Sequence, residues 1–413
     1  MTDSSPRRDP GPHSGETAVG AFSLRAIAVP AFGPTVLAAV GQGAVLPVMV
    51  LRARELGATV TMAAAMVALV GFAQLLAALP AGAIVSRIGE TRALMGAALV
   101  EMAAMLAGAF APSLWVFALA TAAIGLEAAV FNLARQAYLT DAVPLGMRAR
   151  ALSTLGGVNR IGLFIGPFVG ALAVHQGGIR AAYLVATVGA FSAFLLVALG
   201  PDLTAHHEAA AVQRSGASVW SVLGVHRRTL LTLGSGILVI AGARACRTSV
   251  LPLYAESIGI SASDTSLVFG IAGAVDMLLF YPAGIVMDRW GRAWIAVPTV
   301  LVLGVGMMLL PLTHTIVAMT GVAMLMALGN GIGSGIVMTL GADAAPPESR
   351  PQFLGGWRLM ADLGGTAGPL LVGGIALVAP LAAAIVTVGA LSFLGGGWLA
   401  YWVPRFDPVR RRG

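Results

Sequence analysis

Apolar residues follow one another for about 20 positions or more before charged or turn-rich breaks interrupt them, and this happens twelve times along the 413 residues. The runs fall at 27–51, 60–85, 93–112, 114–138, 152–174 and 180–199, then at 230–254, 264–287, 294–312, 315–340, 353–377 and 380–403. A run of that length is what a helix needs to cross roughly 30 Å of hydrocarbon. Lipid cannot satisfy free backbone groups, so the runs are expected to be helices and not open sheet. The pattern predicts an all-α integral membrane protein of twelve transmembrane helices, six and six. The expected units are a polar tail over 1–25, a six-helix bundle over 26–200, a linker over 201–228, a second bundle over 229–404 and a basic tail over 405–413.

The two sets of six repeat one another at an offset of 202 residues. Pro80, Ala81, Gly82, Arg87 and Gly89 return as Pro282, Ala283, Gly284, Arg289 and Gly291. Asp141, Pro144 and Arg148 return as Asp343, Pro346 and Arg350, and Gly162, Gly166 and Pro167 return as Gly364, Gly368 and Pro369. So long a period in so apolar a chain points to two pseudo-symmetric membrane bundles and away from a solenoid of short repeats.

Composition agrees. Hydrophobic residues make up 58% and charged residues 10% of the chain, against about 25% charged in soluble proteins. The net charge of +7 rests on arginine alone, since the chain has no lysine. The arginines sit at helix ends in place of forming a nucleic-acid patch. Seventeen fall on the side of the tails, the linker and the even-numbered loops, and three, Arg52, Arg54 and Arg180, on the other. The positive-inside rule then puts both termini in the cytoplasm. Arg410 to Arg412 need no further explanation. Membrane lipids are the expected surroundings, in a bacterial plasma membrane, and a monomer is the expected state. The single cysteine, Cys246, excludes an intrachain disulfide and reads as a packing residue. His206-His207-Glu208 in the linker lacks a fourth metal ligand and reads as solvated. No cofactor is implied, and no phosphate-binding glycine loop suggests direct ATP use.

Between the eighth and ninth helices stands Gly284-x-x-x-Asp288-Arg289-x-Gly291-Arg292, and between the second and third Gly82-x-x-x-Ser86-Arg87-x-Gly89-x-x-Arg92. These segments resemble the signature loop of the major facilitator superfamily of secondary transporters. Its glycines permit a tight turn and close helix approach, and its charges can hold neighbouring helix ends together. The resemblance implies an acid in the first copy, where this chain has Ser86. The fifth helix carries Gly162-x-x-x-Gly166-Pro167-x-x-Gly170-Ala171, which resembles the motif associated in that superfamily with antiporting exporters. Physically it is a small-residue face with a bending proline, and the eleventh helix repeats its Gly-Pro. FNLARQAYLTDAVP, residues 131–144, is similar to the fourth helix of drug-type exporters, with Leu133 where many have proline.

Ionisable groups inside a membrane are costly, about 2.5–3.5 kcal/mol on insertion scales, and so are functional candidates. They are Glu101, Glu127, Arg135, Arg160, Arg244, Arg247, Asp276, Arg358 and Asp362. The resemblance implies a central site lined by helices 1, 4, 7 and 10, where Gln42, Glu127, Arg244, Arg247 and Asn330 would converge. Arg244 and Arg247 share a helix face and need an anion from Glu127, Asp276 or a substrate. A carboxyl alternately buried and wetted can take up and release a proton, which makes Glu127 the leading coupling residue and Arg135 the second. A static bridge from Glu127 to Arg135 or to the helix 7 arginines is the alternative. Arg160 and Asp362, at equivalent positions, could bridge a cytoplasmic gate, or each could find a partner in its own half. Glu101 is assigned to structure, because the resemblance puts helix 3 outside the site.

These readings favour a proton-coupled antiporter exporting drug-like or secondary-metabolite molecules by rocking of two halves. An importer or exchanger of a small organic anion is the alternative, motivated by the two arginines. The remote alternative is a membrane enzyme or sensor, for which no catalytic constellation is visible.

Overall fold

The computed structural model describes residues 28–143, 148–200, 224–346 and 350–406. The expected N-terminal tail, the C-terminal tail beyond Phe406, most of the linker with His206-His207-Glu208, and Pro144 lie outside these residues, as do the side chains of Asp141, Arg148 and Arg350.

The helices are numbered here as the twelve expected spans. In the first half they are α1 (Ala28–Val45, continued after a turn by Met49–Glu55), α2 (Val60–Ile88), α3 (Glu90–Phe110), α4 (Leu114–Ala142), α5 (Arg148–Gly177) and α6 (Ile179–Leu199). In the second they are α7 (Arg227–Ser257), α8 (Ala262–Trp290), α9 (Ala293–Leu312), α10 (Ile316–Ala344), α11 (Arg350–Ile375) and α12 (Leu381–Phe406). No strand occurs among the described residues. Ten of these helices are long and apolar enough to cross a membrane, and α1, bent by 46° at its break, makes eleven. α11 has the length, with 26 residues, but Arg358, Asp362 and its many glycines thin its apolar content.

The repeat seen in the sequence is also a repeat of local devices. Thr59 caps α2 by accepting from the Met62 N–H at 3.2 Å, and Ser261 caps α8 by accepting from the Asp264 N–H at 3.1 Å. Ser113 and Thr315 cap α4 and α10 in the same way. Each pair lies at the repeat offset, and each cap meets an N–H that a helix start leaves unpaired. The α2–α3 and α8–α9 turns pivot on Gly89 at φ +83° and Gly291 at φ +101°, a region where a Cβ would be strained.

Packing follows the same plan twice. α1 packs on α5 and α6, while α7 packs on α11 and, less extensively, on α12; α2 packs on α4 and α8 on α10. The α5 motif is a contact surface: a Cβ at Gly166 would lie 2.5 Å from the Val40 carbonyl oxygen and 2.6 Å from Gly43 Cα. Gly162 and Gly170 press on Ala39 and Ala44 likewise, and Pro167 sits within the helix. α11 does the same to α7, where a Cβ at Gly368 would come 2.5 Å from the Gly242 oxygen. The motif therefore serves helix packing in both halves. Close approach was also expected at Gly82 and Gly284, but no atom lies within 4 Å of a Cβ built there. The two halves meet through α2 against α11 and α5 against α8.

Candidate functional site

Near the middle of the bundle each half has a polar centre, and the two are built differently. In the first half, α4 carries Glu127 at 3% exposure, with neither carboxylate oxygen hydrogen-bonded. Its charged neighbours are Glu101 of α3 and Arg135 of α4. Glu101 is also buried; one of its oxygens lies 3.5 Å from the Gln42 amide nitrogen of α1, and the other has no partner. Glu101 thus lies within electrostatic reach of Glu127. Arg135 does not hydrogen-bond Glu127. It donates to Asn159 of α5 at 3.0 Å and lies 5.8 Å from the Phe131 ring centre, a cation–π distance.

In the second half the polar groups are wired together. Arg244 of α7 donates through Nε to Asn330 Oδ1 at 2.7 Å and through a terminal nitrogen to the Asn330 carbonyl at 3.2 Å. Asn330 donates its amide N–H to Asp276 of α8. Asp276 faces Arg247 at 3.7 Å. The Asn330 carbonyl that Arg244 reaches lies in the glycine-rich stretch Gly329–Gly335, where α10 changes from an α to a 3-10 turn at Gly333–Gly335. Gly331 lets α10 close on α8, because a Cβ there would lie 2.7 Å from the Asp276 carbonyl oxygen.

Of the residues expected to converge, Arg244 and Asn330 are hydrogen-bonded to each other and Gln42 reaches Glu101, and no described contact joins the Glu127 group to the Arg244 group. The anion that Arg244 and Arg247 need is Asp276, and no bridge from Glu127 to either arginine is formed among the described contacts. Nor is an Arg160–Asp362 bridge among the described contacts, and Asp362 instead has a partner in its own half. Asp362 accepts from Arg358 one turn earlier at 2.9 Å, while Arg160 of α5 interacts electrostatically with Asp276 of the other half.

At the signature loops the charges do join helix ends. Arg292 reaches Asp343 of α10 at 2.8 Å, Asp288 of α8 at 3.6 Å and the Met287 carbonyl at 2.8 Å. In the first-half copy Ser86 turns back to the Ala83 carbonyl at 3.1 Å. Arg87 and Arg289 point outward and are exposed.

Among the described residues, the direct hydrogen bonds and ion pairs that tie the halves together cluster at the opposite end. Arg54 donates through Nε to both Glu256 oxygens, at 2.9 and 3.1 Å. Thr61 donates to the Gly373 carbonyl at 2.8 Å and Ser263 to the Ala171 carbonyl at 2.9 Å. Nearby, Arg52 is buried and donates to the carbonyls of Gly108, Ala109 and Ala111, closing the end of α3. At the equivalent place the Tyr254 hydroxyl lies 3.0 and 2.8 Å from the carbonyls of Pro311 and Thr313. Sequence reasoning treated Arg52 and Arg54 only as loop charges. The repeat offset was the signal that could have found both, since it pairs Arg54 with Glu256 and Arg52 with Tyr254.

The comparisons with known proteins agree with this architecture. The family model for the Major Facilitator Superfamily matches residues 32–243 and again 233–413. The MFS-type transporter Rv2456c of Mycobacterium tuberculosis (strain ATCC 25618 / H37Rv) is 28% identical over 354 residues, covering 82% of this chain and 83% of its own. The MFS-type transporter YhjO of Bacillus subtilis (strain 168) is 24% identical over 334 residues, covering 80% and 81%. Among solved structures, a POT family transporter in complex with a thioalcohol-conjugated peptide superposes with a TM-score of 0.76 at 12% identity, over 92% of this chain and 96% of that one. A POT family transporter with 5-aminolevulinic acid gives 0.73 at 13% identity, over 92% and 96%. At such identities these structures speak for the fold. With its sequence matched in both halves and its repeat seen again in caps, turns and packing, the chain belongs to the major facilitator superfamily of secondary transporters.

Proposed function

We propose that the protein is a proton-coupled antiporter of the bacterial plasma membrane that exports drug-like or secondary-metabolite molecules, with both termini and the signature loops in the cytoplasm. The observation that carries the proton coupling is Glu127: a carboxyl at 3% exposure in mid-helix, with neither oxygen hydrogen-bonded. A carboxylate so placed is expensive to keep charged. A conformational change that wets it would release a proton, and the reverse change would take one up. Rocking about the α2–α11 and α5–α8 contacts supplies such a change, with the Arg54–Glu256 pair holding the end away from the signature loops closed. The export direction draws on the likeness of residues 131–144 to drug-type exporters.

The test is an efflux screen in cells expressing the protein, with antibiotics, dyes and carboxylates, with and without the proton gradient. Glu127→Gln is expected to abolish gradient-driven efflux while substrate binding is retained. Full proton-coupled efflux in that variant overturns the assignment. The arginines at Asp276 favour a second reading, import or exchange of a small organic anion, which the same screen separates by direction.

A further inference from the structure

The outer face of α12 carries one stripe that changes character along its length. Leu391, Leu394, Trp398, Tyr401 and Arg405 follow one another at intervals of three and four residues, which puts them on a single side of the helix. All five are exposed, Leu394 at 72%, Trp398 at 42% and Tyr401 at 55%. From Leu394 to Arg405 the stripe passes from aliphatic through aromatic to cationic. That stretch is about 16 Å of helix, close to half of the roughly 30 Å of hydrocarbon in a bilayer.

Trp398 joins this stripe to α7. Its indole N–H lies 2.9 Å from both the Thr232 carbonyl and the Ser235 hydroxyl oxygen. The Thr232 hydroxyl donates to the Arg228 carbonyl at 2.8 Å, so Arg228 stands one turn further on, at the end of the bundle where α7 begins and α12 stops. On α12 the same direction leads to Tyr401 and then to Arg405, whose guanidinium is 3.5 Å from the Tyr401 ring centre. A guanidinium stacked on a ring keeps its charge. Arg228 and Arg405 are both exposed. Neither α12 nor α7 before Glu256 contains an acidic residue, so these two helices set no negative charge against an anion there.

The equivalent corner of the first half lacks this gradation. At the repeat offset Leu394, Trp398, Tyr401 and Arg405 correspond to Ser192, Leu196, Leu199 and Leu203, and Arg228 corresponds to Ala26. Where Trp398 meets Ser235, Leu196 meets Gly33, a Cβ on which would lie 2.8 Å from the Leu196 Cδ1. A general aromatic belt would mark both corners.

We propose that the α7–α12 corner seats one anionic phospholipid of the cytoplasmic leaflet. Its phosphate lies within reach of Arg228 and Arg405, its ester region against Trp398 and Tyr401, and one acyl chain along Leu394 and Leu391. The order of chemistry along the helix is the order along such a lipid, and the cytoplasmic leaflet is where anionic lipids collect. This binding depends on neither the direction of transport nor the proton coupling. The proposed orientation enters only in naming the leaflet.

The experiment titrates the purified full chain in detergent with phosphatidylglycerol, with phosphatidylcholine of the same acyl chains, and with glycerol phosphate, and counts bound molecules by native mass spectrometry. One phosphatidylglycerol should be retained at concentrations about 10-fold below those needed for phosphatidylcholine, and glycerol phosphate should not displace it. Arg228→Gln and Arg405→Gln should each weaken retention about 5-fold, the effect of one arginine near an anionic surface. Arg92→Gln, at an exposed arginine of the same end on α3, should leave it unchanged. Elution as a single species shows that a variant is folded, and the comparison of lipids on the unaltered protein stands whichever variant folds. Equal retention of the two lipids, displacement by glycerol phosphate, full retention in both folded variants, or an equal loss in Arg92→Gln overturns the inference.

Discussion

The polar centres of the two halves occupy matching places and have opposite character. Gln42 and Arg244 lie at equivalent repeat positions on α1 and α7, and Glu127 of α4 is one residue from the counterpart of Asn330 on α10. In the first half α4 is continuous, and Glu127 and Glu101 leave three buried oxygens without partners. In the second, α10 is broken, and Arg244, Asn330, Asp276 and Arg247 form a connected chain. One backbone plan thus supports an acidic centre that is loosely held and a basic centre that is tightly held. A loosely held acid can change its charge with its surroundings, whereas a wired guanidinium cannot. On the proton-coupled reading proposed above, proton traffic belongs to the first half.

The largest effect that could break this contrast is expected at Asp276. Asp276→Ala removes the carboxylate from buried Arg247 and should cost about 3–5 kcal/mol, as for other broken buried pairs. It should show as the steepest fall in thermal midpoint of any variant named here, with Asp276→Asn milder. A small effect would mean that the second centre is not held by its charges.

Next in size is the pair of caps. Arg52→Ala leaves the carbonyls of Gly108, Ala109 and Ala111 without their donor, and Tyr254→Phe removes the one hydroxyl proton that the Pro311 and Thr313 carbonyls share. Both caps lie at helix ends, where water can take the place of a lost donor, so each cap is expected to be worth about 1–3 kcal/mol in all. Arg52→Ala should therefore lower the thermal midpoint more than Tyr254→Phe, and the reverse order would show that the two ends are not equivalent. The Arg54–Glu256 pair is about one-third exposed on each side, so Arg54→Ala should cost at most about 1 kcal/mol in stability. Its effect belongs to the conformational balance: accessibility of a cysteine introduced at Thr61 should rise in Arg54→Ala and fall again in the swapped Arg54→Glu/Glu256→Arg protein. The smallest shift is expected for Glu101→Gln. Replacing a carboxyl that lacks a partner for one oxygen should leave the midpoint unchanged or raise it slightly, and a clear loss would mean that the first centre is wired after all.

Most of the architecture could be read from residues alone, because span length and the 202-residue offset are properties of the chain itself. The glycines at 89 and 291 and the small face of α5 announced a turn and a contact for steric reasons that do not depend on the rest of the fold. What could not be read was which charge meets which. Arg160 and Asp362 share a repeat position, but Asp362 accepts from Arg358 one helical turn earlier, while Arg160 is within electrostatic reach of Asp276 across the seam. The burial of Glu101 near Glu127 could not be read either, because helix order alone does not say which way a side chain turns. The Asn330 carbonyl bond lies beside a local change of helix type, which the glycines hinted at without fixing where it falls.

The Arg54–Glu256 bridge says something about ancestry. Positions 54 and 256 are images of one another under the internal twofold, and they touch. In an assembly of two identical six-helix subunits, a residue beside the axis meets its own copy. Such a self-facing position would set arginine against arginine, or glutamate against glutamate, and repel. An attractive pair there requires the two halves to be encoded separately, so this latch could only have arisen after duplication and fusion had freed each copy to drift.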